Sequence, residues 1–112
     1  MQLILSILPE KLGICHFAQK SQIPDWAKDI SFCSITRTPD ELSVICPQDK
    51  IPGGVLMEKD WRAFKVQGPL GFTLTGIVSS LSKPLADAEI SIFYIDTYIG
   101  IGFTSQFGIF NR

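Results

Sequence analysis

The chain has 112 residues, enough for one compact domain or two very small lobes that share a core. Apolar residues make up 46% and charged residues 19%, a globular rather than a disordered composition. Ten Lys and Arg against eleven Asp and Glu, interspersed along the chain, give a net charge of −1. No basic face for nucleic acid and no polybasic run for an anionic membrane follows from that distribution.

The N-terminus reads MQLILSILPEKLG. Its apolar run, Leu3 to Leu8, has no basic start and is closed by Pro9, Glu10 and Lys11, so it predicts a buried strand rather than a signal peptide. No run approaches the ~20 apolar residues of a membrane helix. LGICHF, residues 12–17, is a second strand, with Leu12, Ile14 and His16 on one side and Gly13, Cys15 and Phe17 on the other. His16 is the sole histidine. With no partner readable from the sequence, it is expected to be a surface or hydrogen-bonded structural residue. A polar connection follows, with one helical turn at Pro24 to Ala27 and Trp26 plugging one end of the core.

SFCSITRTPDELSVICP contains two β-rich runs, Phe32 to Thr36 and Leu42 to Cys46. Thr38-Pro39-Asp40-Glu41 between them fits a hairpin turn, and equally a helix capping box. Only five residues precede Pro47 and two are β-branched, which favours the hairpin. The cysteines at 15, 33 and 46 form no CxxC pair and sit in apolar runs. They predict small buried hydrophobes in a reducing compartment, not a zinc site.

QDKIPGGVLMEKD is a linker centred on Pro52-Gly53-Gly54. WRAFKVQG predicts a strand over 61–67. VQGPLGFTLTGIVSSL then turns from strand into helix at a glycine-rich corner. Leu74, Ile77, Val78, Leu81, Leu85 and Ala88 form an apolar stripe at helical spacing, with Thr73 as the N-cap. Pro84 predicts a kink or interruption near Ser82 to Pro84. Glu89 ends the helix, ISIFYIDT over 90–97 is the next strand, and the tail YIGIGFTSQFGIFNR carries strand residues from 99 to 104 before the pattern fades.

Two readings of the corner stand side by side. Gly68 and Gly71 permit a tight turn that packs helix on sheet. The same turn leaves the first helical amides, near Phe72 to Thr75, free to hold a carboxylate. Enzyme chemistry finds less support: one His among strand residues supplies no nucleophile–base spacing, and Gly68-Pro-Leu-Gly71 is neither a P-loop nor a dinucleotide fingerprint.

Residues 57–98, MEKDWRAFKVQGPLGFTLTGIVSSLSKPLADAEISIFYIDTY, resemble the small bacterial ACT-domain proteins once grouped as a domain of unknown function. SITRTPDELSVICP and LGIC resemble that family's first half, and similar ACT pairs occur in cytosolic arginine sensors of animals. The resemblance implies an α+β fold of two ferredoxin-like βαββαβ lobes, each an antiparallel sheet with helices on one face. Residues 1–50 would form the first lobe, 51–60 the linker and 61–112 the second lobe. It implies a cytoplasmic regulatory module that binds an amino acid or another small ligand and does no chemistry of its own, with no cofactor and no metal. The candidate ligand contacts are Ser34, Ile35, Thr36, Gly71, Phe72, Thr73, Leu74, Thr75, Asp96 and Thr97. The alternative is an assembly module that pairs through sheet edges without a ligand.

The sequence departs from the family at one point. Ile99-Gly100-Ile101-Gly102 stands where the family has an acidic turn, and no last helix is legible before Arg112. The second lobe is therefore expected to be incomplete, with an open edge and exposed apolar residues at Phe103, Phe107, Ile109 and Phe110. Self-association, as a dimer, is the expected consequence.

Overall fold

The structure, a computed structural model, describes residues 4–28, 32–67, 74–98 and 104–111. Its elements are β1 (Ile4–Ile7), β2 (Leu12–Ala18), β3 (Ser34–Arg37), β4 (Glu41–Pro47), β5 (Glu58–Gln67), α1 (Leu74–Asp87), β6 (Ser91–Tyr98) and β7 (Thr104–Asn111). Single 3-10 turns lie at Asp25–Ala27 and Gln48–Lys50. The strands pair antiparallel throughout, and α1 is the one α-helix among the described residues. The chain divides into two compact units, Glu10–Trp61, and Met1–Pro9 together with Arg62–Arg112.

In the N-terminal unit β4 pairs with β3 on one side and β2 on the other, and β2 pairs with the start of β5. Thr38 to Glu41 is the hairpin turn between β3 and β4. The Thr38 amide donates to the Glu41 carbonyl at 2.9 Å, and its hydroxyl accepts from the amides of Asp40 and Glu41, both at 3.2 Å. The Thr-x-x-Glu pattern thus makes its side-chain cap inside a β-turn. A helix here would have had to end within two turns, before Pro47, where nucleation is not repaid.

One face of this sheet is apolar. Cys15, Ala27, Leu42, Val44, Cys46 and Ile51 form the buried cluster, with Phe17, Trp26, Val55 and Met57 packed against it. Trp26 meets Phe17 at a ring-centroid distance of 6.3 Å, closing the core as expected. Cys15 and Cys46 serve as buried hydrophobes, whereas Cys33, just before β3, is exposed, contrary to expectation. Strand alternation alone did not reveal that the sheet ends there. β5 starts three residues earlier than the 61–67 pattern predicts, and it is bulged. Leu12 pairs with Trp61 but Ile14 pairs with Glu58, so three steps on β5 match two on β2. Asp60 takes the left-handed conformation this requires (φ 65°), and Gln48 holds it, accepting from the Asp60 amide at 2.8 Å.

In the C-terminal unit β1 pairs with β5, Ile4 opposite Gln67 through Ile7 opposite Phe64. The sequence placed this segment in the first lobe. Its apolar pattern encodes a buried strand but not a partner some 60 residues away. β5 also pairs with β7, and β7 with β6. The tail, expected to fade after residue 104, is thus a full strand between two others. The apolar residues expected on an open edge are inside instead: Ile109 is buried, Phe107 and Phe110 are half-buried, and Phe110 packs on Phe64 at 5.9 Å between centroids. Phe103 lies outside the described residues.

α1 runs through Pro84 without interruption, another correction. Pro84 removes the amide that would bond the Ser80 carbonyl. Ser80 is exposed, so water can take that place, while Leu81 packs on the Phe64–Val66 cluster. Packing therefore outweighs the lost bond. The helix ends at Glu89 as predicted. Glu89 is left-handed (φ 58°), its amide donates to Ala86 and that of Ile90 to Leu85, the two bonds of a Schellman stop.

Candidate ligand-binding site

β5 and β6 both run antiparallel to β7, so they are parallel to each other, and α1 is the crossover that joins them. A crossover helix runs back along the strands it connects. The start of α1 and the end of β6 therefore lie at the same end of the C-terminal unit, and α1 packs on β6. Leu74 and Thr75 are the first two residues of α1, and Asp96 and Thr97 sit in the last half of β6, opposite Gln106 and Ser105. The topology brings these four positions to one end. Gly71, Phe72 and Thr73 belong to the corner that lies outside the described residues.

Ser34, Ile35 and Thr36 lie on β3 in the N-terminal unit, opposite Ile45, Val44 and Ser43. The candidate contacts are thus distributed over both units. By strand alternation, Ser34 and Thr36 share the face opposite the apolar cluster, together with Ser43 and His16. A row of hydroxyl and charged groups crosses this face. His16 Nδ1 is 2.9 Å from Glu41 Oε2, its Nε2 is 3.2 Å from Glu58 Oε2, and the Ser43 hydroxyl donates to Glu41 Oε1 at 3.0 Å. The expectation of a hydrogen-bonded structural histidine is met. Glu41 and Glu58 were not identified as its partners, because they stand 25 and 42 residues away and only strand register brings them to the ring.

Two hollows contrast in chemistry. In the C-terminal unit, one of about 240 Å³ is lined by carbon side chains, among them Leu5, Ile7, Phe64, Leu85 and Phe110. It offers nothing to a charged α-amino or α-carboxyl group, which would be stripped of water without a partner there. In the N-terminal unit, one of about 320 Å³ is lined by Ile14, His16, Leu56, Met57 and Glu58, mixing apolar and ionic groups. Among the described residues no cluster of His, Cys, Asp or Glu is arranged to hold a metal, and no helix is long and apolar enough to cross a membrane.

A profile of the ACT domain matches residues 56–102, and a profile of an N-terminal domain matches residues 10–54. The chain is 32% identical over 80 residues to the cytosolic arginine sensor for mTORC1 subunit 1 of Bos taurus, a match covering 64% of this chain and 24% of that protein. Against the Homo sapiens protein of the same name it is 41% identical over 56 residues, 46% of this chain and 17% of the other. The chain therefore spans about a quarter or less of the length of these relatives. The crystal structure of an Agrobacterium tumefaciens protein superposes with a TM-score of 0.81 at 39% identity, covering 96% of this chain and 78% of that one. The profile match, over the helix that crosses between two parallel strands, carries the conclusion: residues 56–102 of this chain belong to the ACT-domain family.

Proposed function

We propose that this chain is a cytoplasmic regulatory module that binds an amino acid and performs no catalysis. We read its two units as a pair of ACT-like lobes divided near the 51–60 connection, the C-terminal one carrying the helical crossover of the ferredoxin-like pattern. What supports this reading is the end of the C-terminal unit that the start of α1 and the end of β6 share by topology. The first-turn amides of α1 have no acceptor within the helix, and the helix dipole adds partial positive charge, so they suit an α-carboxylate. Asp96 supplies the complementary charge for an α-ammonium. The relatives' description as cytosolic arginine sensors points to the same ligand class and compartment.

The decisive measurement is a thermal-shift screen against the free amino acids. A specific ligand raises the melting temperature with the logarithm of its concentration. A flat response across the panel would remove the ligand from the proposal. A second reading, self-assembly through strand edges, is favoured by β1 and β3. Each pairs on one side alone among the described residues, and Ile7 on β1 is 53% exposed. Light scattering separates the two: a monomer at high concentration excludes the assembly reading.

A further inference from the structure

His16 lies on the central strand of the N-terminal unit, between β4 and β5, and both its ring nitrogens meet carboxylate oxygens. A carboxylate only accepts, so both contacts are hydrogen bonds only when both nitrogens carry a proton, which is the imidazolium. A neutral ring points one lone pair at one of the two carboxylates. The Glu41 side is the better anchored. Its contact is shorter, 2.9 Å against 3.2 Å, and Ser43 fixes the other Glu41 oxygen. Glu58 is the more exposed of the two and can rehydrate readily.

The Glu58 contact also has a mechanical role. The ladder between β2 and β5 consists of two registered pairs with the bulge between them, and it ends at Ile14 opposite Glu58. The His16–Glu58 contact carries the tie one position beyond the ladder. Met57, directly before Glu58, packs on the apolar cluster of the opposite face, and Leu56 before it is 91% exposed, so on the His16 face the contact that holds the first residue of β5 is the one from the ring to Glu58.

We infer that His16 is a proton-linked brace that, when charged, ties β2 to β4 and β5 at once and, when neutral, releases the start of β5. The charges acting on the ring are those of Glu58 on β5 and Glu41 on β4. Ser34 and Thr36 on β3, Ser43 and Ile45 on β4, and Ile14 and Ala18 on β2 share this face and are uncharged, and Leu56 lines the same hollow. The hydrogen bond to Glu58 is the largest influence and raises the His16 pKa above its usual value. Partial burial opposes it, and Glu41 adds to the rise by charge and hydrogen bond. The sign follows from linkage. A histidine pKa raised by folding contributes fully below the unfolded value, ~6.5, and its contribution is lost as pH rises through the folded value. The brace is thus closed below the unfolded value, ~6.5, and opens as pH rises through the higher folded value.

As the sole histidine, His16 gives an unambiguous NMR signal. Its ring titration in the intact chain should lie above the value of a free histidine, and Glu58→Gln and Glu41→Gln should each lower it. Both glutamates are well exposed, so neither variant threatens the fold. Amide hydrogen exchange at Glu58 to Asp60, corrected for its intrinsic pH dependence, should accelerate about two- to fivefold as His16 deprotonates, the range set by a half-exposed ion pair. In Glu58→Gln and in His16→Gln the same amides should exchange at the faster rate at every pH. A His16 titration at or below the free value would overturn the inference. So would a raised titration with no accompanying change in exchange, which would mean that the charges pair without bracing the strand.

Discussion

Adding a single methyl group at Gly108 tests whether the tail is the strand β7. Gly108 stands opposite Phe64 in the β5–β7 ladder, and the Phe64 ring lies directly over the glycine. A Cβ built there falls well inside van der Waals contact with three atoms of that ring. The ring has nowhere to go. Phe64 is 4% exposed and packed with Val66, Leu81, Ile92 and Phe110. Two effects oppose each other. Alanine in a strand interior is worth about 0.5–1 kcal/mol over glycine by backbone entropy. Overpacking a full core costs about 1–3 kcal/mol. Gly108→Ala should therefore destabilise by about 1–2 kcal/mol net, lowering the urea midpoint by roughly 0.5–1 M for a typical slope of about 2 kcal/mol/M. Phe64→Leu in the Gly108→Ala background should cost less than the sum of the single changes, because the two share the crowded volume. Gly53→Ala, where a Cβ meets nothing within 4 Å, should be neutral within about 0.5 kcal/mol. If Gly108→Ala proved as stable as the parent or more so, the propensity term alone would be acting, and β7 would not lie against Phe64.

The cysteines supply a chemical test: burial pushes the Cys15 thiol up and that of Cys46 up to about 12, so alkylation near neutral pH should label exposed Cys33 first and reach the other two only in denaturant, as read by mass spectrometry. Thr75→Pro removes one amide from the first turn of α1, so it should weaken binding of whichever amino acid the screen identifies by about tenfold. Its stability cost should stay well below the ~3 kcal/mol of a mid-helix proline. Calorimetry showing unchanged affinity in a folded Thr75→Pro protein would remove that amide from the site.

Much of the local structure was legible in the residues alone. The Leu74–Ala88 stripe and the Glu89 stop define α1, since side chains three and four apart meet within one helix and the closing bonds span six residues. Thr38 to Glu41 defines its hairpin because every bond in the turn lies within four residues. Of the candidate site, the start of α1 was readable from the same stripe, and the ends of β3 and β6 from their β-branched runs. Everything that depended on a distant partner was decided by the tertiary structure. β1 found β5, the weak pattern around Gly108 became a strand because β5 and β6 offered edges on both sides, and His16 acquired Glu41 and Glu58 through register. Propensity and periodicity are properties of neighbouring residues, whereas strand pairing depends on which backbone edges remain unpaired once the chain has closed its loops.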